Sequence, residues 1–562
     1  MGDGDDGGAP SRRGGALDLD RGWVPLALLI AAVCLPVLLA VLDAARDQWY
    51  PAADAATIVN RSYDMWFSGR PLVGQFSLAG STGTDQVFSP GPLLYVVLAP
   101  AARFGPAWTL PATMGILASA GFGLALYAAR RIGGWWFAVI VAFGLVGTIR
   151  ASDASTFVEV WNPWAGLAPF AALVFVSWLI ALGNRRWLPV AVVLASFLVQ
   201  AHLTYLPPSL VLLAIALVAG WWPGVPETDE DDRSADPAGR MRPLVAALLA
   251  GLVCWSLPLY QQFTNDPGNL TLVREAASAE NETFGSSVAV NVWWRAVGVP
   301  PAFARAASTQ VAELDQLRVD ATAADWVGTA VVFLLLLALG VVAWRRRTRE
   351  VVVGVGLALG LGIAALAVAA RLPLDRLIVA PYSLRWVVTA GLVPWLVAGL
   401  AVLRFGLLRR WAPTDRLRSG AAIGCVVLVG LGTVLVSRTD DAAWMSDPAR
   451  IAGEDLVAAT SPGDRIRLAD SGRYEIVMTP ALAWSLREHD RTPVMIRNFR
   501  VGTGERYAKD GSRCDGIVSV REASEPAPDG SREISRVPYD QPGEPQELVI
   551  YLAPDESADG LC

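Results

Sequence analysis

Lysine is nearly missing from this chain: Lys509 is the only one among 46 basic residues in a 562-residue sequence. With a net charge of −6 there is no basic domain or lysine-rich patch, which excludes a nucleic-acid-binding protein. Histidine occurs only as His202 and His489, so a His-rich metal centre is excluded too. Charged residues make up 17% of the chain, against roughly 25% in soluble domains. No GxxxxGK[ST], no GxGxxG opening a soluble helix, no HExxH and no GxSxG in a strand–turn–helix setting is found. Phosphate-loop, dinucleotide, zincin and hydrolase-elbow chemistries therefore lack support.

What the chain has is apolar residues, 53% of the total, with a mean hydropathy of +0.41. That is the composition of a polytopic helical membrane protein. Apolar runs of the length needed to cross a bilayer occur at about 23–42, 107–129, 134–149, 164–183, 187–201, 208–222, 243–260, 326–344, 350–371, 386–403 and 421–436, eleven in all. With the N-terminus placed inside, the inner segments hold 19 Arg in 71 residues and the outer ones 11 in about 160. The positive-inside rule then puts the N-terminus in the cytoplasm and the C-terminus outside. The first 22 residues, rich in Gly and Asp, read as a disordered cytoplasmic tail. No A-x-A-like cleavage site follows the first span, so it reads as a retained anchor. Arginine in place of lysine, beside abundant Ala, Gly, Val and Trp, suggests a high-GC bacterial genome, and hence a bacterial plasma membrane.

Residues 23–436 thus form a multi-span domain with long outer loops at 43–106 and 261–325. Residues 437–562 form an extracytoplasmic domain of globular composition. In that domain Arg465–Leu468, Val494–Arg497, Gly516–Val520 and Leu548–Leu552 have strand patterning and Glu475–Glu488 helix patterning, which implies a small α/β module. Cys34, Cys254 and Cys425 fall in spans, whereas Cys514 and Cys562 fall in this domain, where an oxidising compartment would allow them to pair. The acidic run Glu227–Asp232 lies in the longest inner loop and reads as a solvated linker.

The spans are almost bare of ionisable residues, unlike those of most solute transporters. Polar chemistry is concentrated in the outer loops. Loop 43–106 carries Asp43, Asp47, Asp54, Asp64 and Asp85. Apolar positions from Asp54 to Phe67 recur at helical spacing, so this stretch reads as an amphipathic interfacial helix with Asp54 in its first turn. An acid there is also what helix capping alone would favour. Asp43 and Asp47 are four residues apart and share one helix face at the end of the first span. Phe88–Gly105, apolar but punctuated by Pro90, Pro92 and Pro100, fits a short helix pair lying along the membrane.

Three stretches resemble the GT-C superfamily of membrane glycosyltransferases, and more narrowly the branch that contains protein O-mannosyltransferases and the bacterial aminoarabinose transferase of lipid A. DAATIVNRSYDMWFSGRPLVGQFS, from Asp54, is similar to that family's segment after the first span. FSPGPLLYVVLAPAARFGP, from Phe88, resembles its aromatic and proline-rich juxtamembrane segment. ASDASTFVEVWNPWAGLAPF, from Ala151, stands where the family often carries a second acid. The chain departs from the pattern at Ala55, where Glu commonly follows the Asp, and at Ser89, where Lys or His is usual. Asp153, Glu159 and Asn162 are alternatives for the second acid's place.

The resemblance implies a polyprenyl-phosphate sugar donor, transfer on the outer face, and a lipid, glycan or protein acceptor in the cell envelope. A hydroxyl acceptor needs a general base, with Asp54 the first candidate and Asp47 the next. A phosphate leaving group needs a cation near the interface, for which Arg376 and Arg385 are placed, although both also suit interfacial anchors beside Trp386. His202 and Tyr205 lie at a tight outer turn and are candidates for binding sugar hydroxyls, as is Asp43 at the first span's end. Asp153 with Glu159 would suit the sugar or a divalent cation. The competing readings are a transporter or flippase of lipid-linked glycans, which should show paired broken spans, and a non-catalytic membrane scaffold or sensor, which loss of the Glu after Asp54 favours.

Overall fold

The structure is a computed structural model that describes residues 23–67, 70–77, 87–222, 237–279, 281–305, 319–374, 380–406, 424–432, 436, 443–469, 474–495, 513–541 and 544–554. The expected tail 1–22, the run Glu227–Asp232, Arg376 and Cys562 lie outside these residues.

Among the described residues, nine helices are long and apolar enough to cross a membrane: Trp23–Arg46 (α1), Thr109–Gly133, Trp135–Ser152, Asn162–Ala181, Leu203–Gly220, Met241–Thr264, Ala323–Arg345, Arg349–Arg371 and Pro381–Arg404. Two expected spans differ from these. The stretch 187–201 is the 14-residue helix Leu188–Ala201; at 1.5 Å per residue it is about 21 Å long, short of the roughly 30 Å hydrocarbon layer. Of 421–436, helix is described only over 424–432. Asn162–Ala181 is 94% buried and forms the centre of the bundle, whereas Met241–Thr264 and Ala323–Arg345, at 11% and 17%, are its lipid-facing edge.

The arginine-rich connections have a structural use besides their charge. The Arg185 Nε donates to the Gly220 carbonyl at 3.0 Å, Arg349 Nη2 to those of Ala181 and Ala219 at 2.8 and 2.9 Å, and Arg404 Nη2 to that of Ile132 at 3.0 Å. Each satisfies carbonyls at or near a helix C-terminus that have no partner within the helix, and places positive charge at the negative end of its dipole.

On the opposite side of the bundle, α1 leads through a tight turn into a second helix, Ala53–Asp64 (α2), close to the amphipathic helix expected there. A two-residue ladder follows, with Phe76–Ser77 (β1) antiparallel to Val87–Phe88 (β2). Phe88–Gly105 contains one helix, Leu93–Phe104 (α3), and not a pair. Pro90 and Pro92 precede its first turn, where the missing N–H is no loss, and the helix tolerates Pro100 inside it.

The C-terminal domain is a five-stranded sheet in the order β4-β3-β5-β7-β6. Its strands are Arg465–Leu468 (β3), Thr492–Met495 (β4), Gly516–Glu522 (β5), Arg532–Gln541 (β6) and Glu544–Ala553 (β7). β3 pairs in parallel with β4 and β5, and β7 runs antiparallel to β5 and β6. Cys514 is disulfide-bonded, while Cys34, Cys254 and Cys425 are free thiols. The helix Glu475–Glu488 packs on α2, and Ala443–Ala458 packs on that helix and on β6. Ile58, Val59, Leu94 and Tyr95 from α2 and α3 share one apolar core with Leu482, Trp484 and Ile550 of the C-terminal domain. Burial of that common surface, at about 25 cal/mol per Å² of apolar area, fastens the domain to α2.

Candidate active site

The site is built around Asp54 in the first turn of α2. The preceding residue, Ala53, has φ of 49°, a left-handed value uncommon for a residue with a side chain. Both carboxylate oxygens of Asp54 accept neutral N–H donors. Gln75 Nε2 donates to Oδ1 at 3.1 Å, and the Trp161 indole Nε1 donates to Oδ2 at 3.0 Å. Burial pushes the Asp54 carboxyl above the ordinary carboxylate range, while the bonds from Trp161 and Gln75 pull it back toward the ionised form.

Gln75 is itself buried and oriented, since Tyr95 on α3 donates its hydroxyl to Gln75 Oε1 at 3.1 Å. Arg61, two turns along α2 from Asp54, is buried. Tyr95, Gln75 and Asp54 thus form a buried hydrogen-bonded chain beside α2. The backbone around Gln75 is fixed as well: Gly74 N donates to Ser89 O at 2.9 Å and Ser89 N to Gln75 O at 2.8 Å.

Trp161 comes from the connection before the central helix. Its ring lies 4.4 Å from that of Tyr382 and 4.8 Å from that of Trp164, both edge-on. Tyr382 in turn meets His202 at 6.5 Å, and the His202 Nδ1 lies 2.8 Å from Thr204 Oγ1. An aromatic wall of Trp161, Tyr382 and His202 therefore runs outward from the carboxylate. Asn162 and Tyr205 stand behind this wall, both buried: Asn162 Nδ2 donates to the Ala201 carbonyl and the Tyr205 hydroxyl to the Pro163 carbonyl, each at 3.0 Å. They hold the turn that aims Trp161.

The remaining acids chosen from the sequence are placed differently. Asp43 pairs with Arg46 at 3.7 Å on the end of α1, and Asp47 is exposed there. Asp153 is buried at the end of the Trp135–Ser152 helix with φ of 69°, its Oδ1 accepting from both the backbone N and the hydroxyl of Ser155 at 3.0 Å. Glu159, half-buried, lies two residues before Trp161. Among the described residues no group of three or more His, Cys, Asp and Glu side chains is assembled to hold a metal ion. Arg385 is half-buried and precedes the Trp386–Arg404 helix, its backbone N–H bonded to Tyr382 O at 3.3 Å, so it adjoins the aromatic wall. Gln75, Arg61, Tyr95 and Tyr382 were not recognised from the sequence. Arg61, Gln75, Tyr95 and Trp161 do lie in the stretches that carried the family resemblance, and Tyr382 does not.

No protein-family model matches the chain, and no curated protein matches it in sequence. Solved structures do match. The crystal structure of ArnT from Cupriavidus metallidurans bound to undecaprenyl phosphate aligns with 94% of this chain and 98% of its own, at 13% identity and a TM-score of 0.51. The same protein in the apo state gives equal coverage and identity with a TM-score of 0.52. The crystal structure of the Archaeoglobus fulgidus oligosaccharyltransferase in complex with Zn and sulfate aligns with 88% of this chain and 67% of its own, at 10% identity and a TM-score of 0.38. The chain shares the overall fold of ArnT over 94% of its length.

Proposed function

We propose that this protein is a membrane glycosyltransferase that moves a sugar from a polyprenyl-phosphate carrier to a hydroxyl of a cell-envelope acceptor, on the outer face of a bacterial plasma membrane. The observation that carries the reading is Asp54: a largely covered carboxylate in the first turn of α2, both oxygens engaged by neutral donors, within a fold shared with a protein crystallised with undecaprenyl phosphate.

In the proposed reaction Asp54 takes the proton of the acceptor hydroxyl as that oxygen attacks the anomeric carbon. The bond from that carbon to the carrier phosphate breaks, and the phosphate leaves with the electron pair. A carboxylate raised by burial is a stronger base than one in water, and a positioned base is worth about 10²- to 10⁴-fold. Trp161 and Tyr382 offer ring faces and edges for the sugar. Arg385 is the cation for the developing phosphate charge, with Arg376 of the same loop as its companion. Asp153 and Glu159 stand near the Trp161 turn as further groups for the sugar, and Asp47 is the reserve base. The arginine asymmetry between the two sides supports a cytoplasmic N-terminus and an outer C-terminal domain.

The test is transfer from a panel of radiolabelled polyprenyl-phosphate sugars to endogenous envelope acceptors, in membranes containing the wild-type chain or Asp54→Asn. Asparagine keeps the size and cannot act as the base. Transfer by the wild type and its collapse in a normally expressed Asp54→Asn is the expected result. Equal activity in the two would move the base elsewhere, and failure with every donor would sink the reading.

A further inference from the structure

The helix that carries Asp54 is gripped by the C-terminal domain at its other end. The guanidinium of Arg487, on the Glu475–Glu488 helix, donates through Nη2 to Asp64 Oδ1 at 3.1 Å and through Nη1 to the Asn60 carbonyl at 3.0 Å. Both side chains of this ion pair are over nine-tenths buried. Asn60 Nδ2 answers from α2 with bonds of 2.9 Å to the Pro480 carbonyl and to its own Ala56 carbonyl. Arg487 also lies 4.6 Å over the ring of Tyr63, and the Tyr50 hydroxyl donates to the Ala481 carbonyl at 3.3 Å.

We infer that the C-terminal domain is a working part of the Asp54 site, and that Arg487 is a positioning residue that fixes the rotation and axial register of α2 against the membrane domain. The inference rests on the proposed function for its kinetic arm only.

Three observations converge. First, the interface around the pair is apolar and extensive, with Ile58, Val59, Met478, Leu482 and Trp484 in one core. A buried ion pair adds little net stability to such a surface, because desolvation offsets the attraction; its better attested use is to select one register among several. Second, α2 is 12 residues long, a rod of about 18 Å, so its two ends move together. Third, the partners of Asp54 belong to other segments: Gln75 to the bend just before β1 and Trp161 to the turn before the central helix. The distance from Asp54 to those donors is therefore set by how α2 packs on its neighbours. A small rotation allowed at Asn60 and Asp64 is therefore a displacement at Asp54, and about 1 Å at a reacting group is enough to cost on the order of 100-fold in rate.

The experiment uses the full chain in detergent, labelled with 5-fluorotryptophan; the Trp161 resonance among the 22 tryptophans is identified by its loss in Trp161→Phe. Arg487→Ala is expected to move that resonance toward its position in Asp54→Ala, with Arg487→Lys between the two. With a donor that the wild type uses, Arg487→Ala should lower kcat about tenfold or more while the donor KM stays within about twofold. Loss of folded protein alone would instead reduce the amount of active enzyme, leaving kcat per folded molecule and the Trp161 resonance unchanged. If Arg487→Ala is not recovered folded, Arg487→Lys and Asp64→Asn carry the same reading. A Trp161 resonance that stays in place in these variants overturns the inference, and so does a kcat that does not change. If the wild type uses no donor, the proposed function fails, and the resonance alone decides whether Arg487 places Asp54.

Discussion

Trp161 donates its indole N–H to Asp54 Oδ2 at 3.0 Å, joining residues 107 positions apart. The bond does two things that separate in experiment: it orients the carboxylate, and it favours the ionised form over the protonated one. Trp161→Phe removes the donor and keeps a smaller aromatic ring against Tyr382 and Trp164. Burial already holds the Asp54 carboxyl above its usual range. As a base it works only when deprotonated, so transfer should fall as pH drops through this raised pKa. The acid limb of kcat/KM should then lie above the value of about 4 expected for an exposed aspartate. Removing the indole donor should move the limb to still higher pH. A pH–rate profile with the same limb in wild type and Trp161→Phe would rule out this account of the bond.

Gln75 and Tyr95 separate a direct contact from an indirect one. Gln75 touches Asp54 at 3.1 Å, whereas Tyr95 reaches it only through Gln75. Gln75→Leu should therefore both lower kcat/KM, by about tenfold, and raise the acid limb, since it deletes a donor to the charged carboxylate. Tyr95→Phe leaves the Gln75 amide able to bond Asp54 and should cost less, about threefold, with little movement of the limb. Parallel pH profiles of the two variants are the check, and a larger effect from Tyr95→Phe would reverse the order of importance drawn here.

This hierarchy shows what the sequence could disclose. The spans were legible because lipid demands about 20 apolar residues in a row, a signal carried within each segment. The helix at Glu475–Glu488 and the strand at Arg465–Leu468 were legible for the same reason, as local periodicity. Asp54 was visible only as a first-turn acid in a stretch that resembles a known family. Its partners were not visible, because Gln75, Tyr95 and Trp161 reach it by tertiary packing, and none is tied to it by helix or strand periodicity. Strand Arg532–Gln541 was missed since its alternation is broken by charge, by Pro538 and by a register shift between Glu533 and Ser535. The Leu188–Ala201 helix was taken for a full span because hydropathy reports apolar character better than it reports where a helix stops.

The ion pair between Arg487 and Asp64 makes a prediction about stability that differs from its kinetic one. With both groups buried, removing one partner leaves the other charge buried without its ion-pair partner, so Asp64→Leu or Arg487→Met alone should destabilise by about 3–5 kcal/mol. The double variant Asp64→Leu, Arg487→Met removes both charges and adds apolar contact, so its cost should fall well below the sum of the singles. Thermal unfolding of the detergent-solubilised chain, followed by intrinsic fluorescence, measures all four proteins. Additive losses would show that the two residues act independently.

Gly74 leads directly into Gln75 and packs against the segment that precedes α3. A Cβ placed on it would lie 2.7 Å from the Gly91 carbonyl oxygen and 2.8 Å from Ser89 Cβ. The first of these is backbone, which cannot turn away as a side chain would. The same short stretch carries the backbone bonds between Gly74, Gln75 and Ser89 that set where the Gln75 amide points. Gly74→Ala should therefore push Gln75 out of line with Asp54 and lower kcat/KM about tenfold or more, the cost of a displacement near 1 Å at a positioned group. Gly356 is the control, a glycine inside the Arg349–Arg371 helix whose added Cβ would meet nothing within 4 Å. Gly356→Ala should leave transfer unchanged and raise stability by about 0.5–1 kcal/mol, because alanine loses less backbone freedom than glycine in a helix. Assays of both variants beside the wild type decide the point: a Gly74→Ala protein as active as the Gly356→Ala one would mean that the register of the Gln75 segment does not matter to Asp54.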